Sequence, residues 1–138
     1  MSIEEENKTL LYRIFDLLNK GELTAYYELF DNSYVAHVHG RDIPLEELKK
    51  LDAGVFALIP DYHFTLNDVI AENDKIAFRT TCVGTHTGEA MGITPTGKKL
   101  EFVMFCISRF YDGIVAEDWM LTDLLQMIQQ LGAVPSGD

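Results

Sequence analysis

The chain is short of several things, and each scarcity closes off a class of function. It has two cysteines in 138 residues. Both, Cys82 and Cys106, lie in apolar strand-like runs, and no CxxC or clustered Cys/His spacing accompanies them. They read as buried thiols of a cytoplasmic protein, and no metal site is expected. Basic residues are scarce too: 11 Lys+Arg stand against 22 Asp+Glu, for a net charge of -11. Such a surface repels phosphate backbones and anionic lipid, so neither nucleic acid nor membrane is expected as a partner. No apolar run approaches the ~20 residues of a membrane-spanning helix. The opening MSIEEENKT lacks the charged-then-apolar pattern of a signal peptide. Gly88, Gly92, Pro95 and Gly97 do not match the phosphate-loop spacing, and no helix follows them to hold an anion. No cofactor is expected.

The chain does have enough apolar material for a core, at 47% of its residues. At this length one domain spanning residues 1–138 is expected, burying about two-thirds of the unfolded surface. No internal repeat, linker or low-complexity segment is visible.

Hydrophobic periodicity then sets out the elements. Leu10, Leu11, Ile14, Phe15 and Leu18 recur at helical spacing, with Gly21 as a stop. Leu23, Tyr26, Tyr27 and Phe30 predict a second short helix, broken by Asp31-Asn32-Ser33. Tyr34 to His39 reads as a short strand closed by Gly40. Leu48, Leu51, Val55 and Leu58 mark a third helix, ended by Pro60. From there the period changes to two. Tyr62 to Ala71 carries Phe64, Leu66 and Ile70 on one face, and Glu72-Asn73-Asp74 turns the chain into a strand from Ile76 to Thr85. Residues 86–97 are a glycine-punctuated loop. Leu100 to Tyr111 is apolar on both faces, which predicts cover on both sides. Asp112-Gly113 is a hairpin signal, and Ile114 to Leu121 is the returning strand. Leu124, Leu125, Ile128 and Leu131 end as a short helix, with Gly132 and Pro135 beyond. Helices first and long antiparallel strands after them predict an α+β domain.

The run RTTCVGTHTGEAMGITPTGKKLEF, from Arg79 to Phe102, followed by FVMFCISRFYDGIVAEDW and the tail LLQMIQQLGA, resembles the SnoaL-like polyketide cyclase family of the nuclear transport factor 2-like superfamily. The resemblance runs from the first helix to Ala133 and is most specific over residues 79–133. It implies a cone-shaped α+β barrel, with the N-terminal helices packed in a strongly curved, mostly antiparallel sheet around a cavity. It also implies a homodimer formed through the open sheet face, where Trp119, Val103 and Phe105 are expected.

On the last long strand, Ile114, Ala116, Asp118 and Met120 share one face, and Val115, Glu117, Trp119 and Leu121 the other. Each face holds one carboxylate among apolar neighbours, an environment that raises a carboxyl pKa and makes a general acid or base. Asp118 can equally form a structural ion pair with Arg109 or Arg79. The resemblance implies that the even-numbered face is the cavity face. It also implies departures. The cyclases' catalytic aspartate falls at Met120, their pocket histidine at Cys106 and their pocket asparagine near Ala36. Asp118 becomes the acid of the site. His37 lies close to where ketosteroid isomerase, a distant member of the superfamily, carries its base. A neutral imidazole there serves as a base or only binds and packs.

His86, of the Gly-Thr-His signature, is expected to tie a backbone bend to a neighbouring strand, while His39 and His63 are peripheral. His37 and His39 share a strand face but lack a third ligand, too few for a metal. Phe56, Tyr62, Phe102, Met104, Cys106 and Met120 are expected to line the pocket, which suits a small lipophilic molecule. Three functions remain open: a cyclase- or isomerase-type enzyme on a lipophilic carbonyl compound, a non-catalytic small-ligand binder, and a dimeric assembly module.

Overall fold

A computed structural model describes residues 1–89, 92–130 and 132. The sequence readings on Leu131, Ala133 and Pro135 lie outside the described residues. The chain opens with helix α1 (Ile3–Asn19) and the single turn α2 (Leu23–Tyr27), followed by strands β1 (Phe30–Val38) and β2 (Arg41–Pro44) and helix α3 (Leu45–Leu58). Strands β3 (His63–Glu72), β4 (Lys75–Thr85), β5 (Lys99–Tyr111) and β6 (Ile114–Thr122) form a meander, and α4 (Leu124–Gln130) closes it.

Local chemistry accounts for the boundaries. The Ser2 hydroxyl accepts the Glu5 N–H at 3.1 Å, and Glu4, Glu5 and Glu6 fill the first turn of α1, where the helix dipole favours negative charge. At the other end the Asn19 amide donates to the Phe64 carbonyl and accepts the Phe64 N–H, each at 2.8 Å. This double bond fixes the end of α1 to the start of β3. The β5–β6 hairpin turns on Asp112 and Gly113, both at positive φ, 51° and 80°. Two left-handed residues in succession are what a tight two-residue hairpin turn needs.

All strands join one sheet in the order β2-β1-β6-β5-β4-β3. Among the described residues, only the β1–β6 pair is parallel. The sheet is curved and does not close, and the helices fill its concave side as a cone. Leu11, Ile14, Phe15 and Leu18 of α1 pack there against Ile76, Phe78, Cys106 and Phe110 of the sheet. The Phe15 ring meets Phe64 and Phe78 edge to face, at 5.9 and 5.5 Å between centroids.

Several details differ from the sequence expectations. Phe30 opens β1 rather than ending α2, and Asp31-Asn32-Ser33 lie inside the strand, where the β1–β6 register shifts. Strand β2 was not expected. His39 and Gly40 form the β1–β2 turn at positive φ, and His39 no longer shares a face with His37. A bulge between Leu66 and Asp68 inverts the parity of β3: Ile70 is exposed, while Val69 and Ala71 pack on the core. A second bulge, between Arg109 and Phe110, does the same on β6, so Val115 rather than Ala116 is buried with Asp118. The both-sided cover expected of β5 is absent, since Phe105 and Ile107 are exposed. Leu51 is also exposed, because α3 turns a different stripe inward.

Candidate functional site

The concave side holds a cavity of about 170 Å³ between α1, α2, α3 and the sheet. Its wall is apolar, with Phe15, Phe30, Phe56, Phe64 and Met120 among the lining residues. Set into that wall are two carboxylates, Asp118 from β6 and Asp52 from α3.

Asp118 is only 4% exposed. The Tyr34 hydroxyl donates to its Oδ2 at 2.5 Å. Ser108 Oγ donates to its Oδ1, and the Cys106 thiol approaches the same oxygen at 3.8 Å. The register explains the cluster: Ser108 is the cross-strand partner of Asp118 on β5, and Tyr34 comes from β1 on the other side of β6. The alternative of an ion pair does not occur. Arg109 bonds Glu117 and Arg79 bonds Asp68. Burial raises the Asp118 pKa, and the bonds from Ser108, Tyr34 and Cys106 oppose that rise without cancelling it. Burial, with the Asp118 charge next, also drives the Tyr34 phenol and the Cys106 thiol well above their ordinary ranges, so both stay neutral donors.

Asp52 is the functional candidate that sequence reasoning missed. Tyr27 donates to its Oδ2 at 2.5 Å, and no hydrogen bond to its Oδ1 exists among the described residues. Burial lifts its pKa to about 6, with the Tyr27 bond working in the opposite direction. The sequence did carry a signal. Leu48, Asp52, Val55 and Phe56 recur at i, i+4, i+7 and i+8 and all line the cavity, so Asp52 occupies an apolar helix stripe. Tyr26 lines the same cavity as the two acids. Burial raises its phenol pKa, and the charges of Asp52 and then Asp118 raise it further.

Most of the expected lining residues meet here: Phe56, Tyr62, Met104, Cys106 and Met120. Phe102 lines a neighbouring cavity of about 280 Å³, which shares Tyr62 and Val55 with the first. Tyr62 divides the two, stacked on Phe64 at 4.4 Å and edge-on to Phe102 at 6.1 Å.

His37 is not brought to this site. Alternation along β1 sends it through the sheet to the outer face, where it stacks on Trp119 at 5.4 Å. There its Nε2 lies 2.5 Å from Glu117 and its Nδ1 2.7 Å from Asp42. The Glu117 bond, then the Asp42 bond, raise its pKa and favour the imidazolium. The expected neutral imidazole facing the cavity is thereby corrected. His86 is buried and does tie a bend, but to the returning arm of its own loop. Its Nδ1 accepts the Thr96 N–H at 3.3 Å and lies 3.0 Å from Thr96 Oγ1. Gly88 lets that loop close on α3: a Cβ there would stand 1.6 Å from the Ala57 carbonyl oxygen.

The SnoaL-like polyketide cyclase family profile matches residues 8–131. The chain belongs to that family. A comparison with curated proteins returns no match. Among solved structures, the chain is similar to AclR of Streptomyces galilaeus, a candidate hydroxylase. The two are 28% identical, with a TM-score of 0.89, over 97% of this chain and 100% of that one. It is also similar to IdmH of Streptomyces antibioticus, a candidate polyketide cyclase, at 29% identity and TM-score 0.81 over 91% and 97%. TsrD of Streptomyces laurentii shares the fold, at 24% identity and TM-score 0.80 over 94% and 97%. At the three positions where the resemblance implies departures from the cyclases, Ala36 is fully buried, Cys106 touches Asp118, and Met120 lines the cavity wall.

Proposed function

We propose that this protein is a cyclase- or isomerase-type enzyme that moves protons on a small lipophilic carbonyl compound. The observation that carries the reading is Asp118: a carboxyl with raised pKa, buried in an apolar cavity and held by neutral donors rather than by a cation. A carboxyl with a raised pKa holds its proton to higher pH and can donate it to a carbonyl oxygen as negative charge develops there. The cavity of about 170 Å³ is smaller than the ~300–1,000 Å³ of most drug-sized sites. The substrate is therefore compact, on the scale of one or two fused rings. His37 takes no part in this chemistry, because the sheet separates it from the cavity.

The whole chain acts as one unit of this kind, in the cytoplasm, as its buried free thiols Cys82 and Cys106 favour. It pairs as a homodimer through the outer face of the sheet, supported by the exposed Phe105, Ile107, Trp119 and Leu121. A non-catalytic ligand-binding role is the second reading, favoured by Met120 and Cys106 standing at the polar positions of the cyclases.

The test is to incubate the protein with β-tetralone, a compact bicyclic ketone, in deuterated buffer. Ligand-induced stabilisation and deuteration of the carbons beside the carbonyl are expected in the wild type, with deuteration sharply reduced in Asp118→Asn. Binding without deuteration at any pH would move the protein to the second reading.

A further inference from the structure

Proton abstraction needs a base as well as an acid, and His37, one of the groups the sequence offered as a base, lies on the other side of the sheet. We propose that Asp52 is the proton-accepting catalytic residue of the cavity, working opposite Asp118. The inference rests on the acid–base reading above and completes it.

The two carboxylates are bound in different ways. Asp118 has both oxygens occupied, by Tyr34 on one side and by Ser108 and Cys106 on the other. Those bonds fix its orientation in the cavity wall. Asp52 lines the cavity with one oxygen fixed by Tyr27, while its Oδ1 has no hydrogen-bond partner among the described residues. Anchoring one oxygen orients the other, which is how a general base is positioned. The groups around it are neutral or anionic. Tyr26 and Tyr27 approach from α2, Tyr62 from the segment after α3, and Asp118 from β6 across the cavity. Lys49, on α3 itself, lies over the Tyr27 ring at 5.5 Å and bonds Glu46. No cation pairs with Asp52 among the described residues, so no cation holds its pKa down. Its value of about 6 leaves it mostly ionised at neutral pH, yet basic enough to take a proton.

The step balances without a further reactant. A C–H bond beside the carbonyl breaks, and its proton forms an O–H bond with Asp52 Oδ1. The bonding pair becomes the enol double bond, and the carbonyl π pair moves to oxygen, which takes the Asp118 proton. In an isomerisation Asp52 returns its proton to a second carbon, while the enol O–H gives its proton back to Asp118 as the carbonyl re-forms. In a cyclisation the enol carbon attacks a second carbonyl, the enol O–H proton goes back to Asp118 as the first carbonyl re-forms, and the Asp52 proton caps the new alkoxide.

Deuterium incorporation into β-tetralone, followed by proton NMR across a pH series, separates this inference from the reading it rests on. Wild-type exchange is expected to rise with pH through a midpoint near 6, as Asp52 loses its proton. Asp52→Asn is expected to lower exchange ~100-fold or more, and Asp52→Glu to recover part of it. Asp118→Asn is expected to exchange slowly with the midpoint kept. Tyr27→Phe removes a bond that favours the anion, so its midpoint moves upward. Asp52→Asn exchanging like wild type, while Asp118→Asn does not, would overturn the role of Asp52 and leave the acid–base reading standing. A wild type that binds the ketone and never exchanges it removes both. Should Asp52→Asn fail to fold, carbon-detected NMR titration of wild type decides instead. An Asp52 carboxyl midpoint near 6 supports the role, and one near the ordinary 3.8 of an aspartate contradicts it.

Discussion

Glu117 and Asp118 are neighbours in the chain and opposites in the fold. Glu117 points to the outer face, bonded to His37 and to Arg109 at 2.5 and 3.0 Å. His37 first, and then Arg109, lower its pKa against the opposing effect of burial. Asp118 points inward to hydroxyls and a thiol, and burial raises its pKa. The β-pleat alone separates them. The residue type sets neither behaviour. What decides is whether the carboxylate meets cations near water or neutral donors away from it.

Breaking the two sides should therefore give unequal results. The largest effect expected is on catalysis. Asp118→Asn should lower turnover by ~10²–10⁴-fold, the usual worth of a positioned acid, while Glu117→Gln leaves it nearly unchanged. Steady-state rates for the two variants check this. Next comes stability. Tyr34→Phe or Ser108→Ala removes one donor to a buried carboxylate and should each cost about 1–3 kcal/mol in urea denaturation. Each should also push the Asp118 pKa higher, because both bonds favour the anion.

The pH dependence of stability should have opposite sign for the two carboxylates. The folded pKa of Asp118 lies above its unfolded value of 3.8. Wild-type stability relative to Asp118→Asn is then greatest at low pH and declines as pH rises through the folded pKa. The folded pKa of Glu117 lies below 4.5. Relative to Glu117→Gln, its contribution is present above that value and is lost as pH falls through the folded pKa. Urea midpoints of the three proteins across acidic pH would show the crossing. The smallest effect is expected of His37→Gln. The imidazole is 31% exposed and its ion pairs are screened by water. A minor drop in melting temperature below neutral pH is expected, fading as pH rises through the raised His37 pKa, with turnover unchanged.

The sequence carried the frame well where one local rule was enough. The α1 stripe and the Asp112-Gly113 turn each point to one structure. It carried less where an extra residue inverts a strand. Nothing in the composition around Asn67 or Ala116 announces a bulge, yet those bulges decide that Ile70 faces out and Val115 faces in. Asp118 was visible as a carboxylate among apolar residues. Its partner Tyr34 was not, since the pair is separated by 84 positions and meets only through the parallel β1–β6 pairing. Asp52 was readable from its helix stripe, had the stripe been taken from Leu48 through Phe56 rather than through Leu51. The base reading of His37 failed for a simpler reason: a strand offers two faces, and alternation cannot say which of them is the cavity.

Carbon-detected NMR titration of the side-chain carboxyls reads both neighbours in a single sample. Asp118 should titrate above 3.8 and Glu117 below 4.5. An Asp118 midpoint at or below the ordinary aspartate value would mean that the cavity holds a stabilised anion, and the acid role assigned to it would fall.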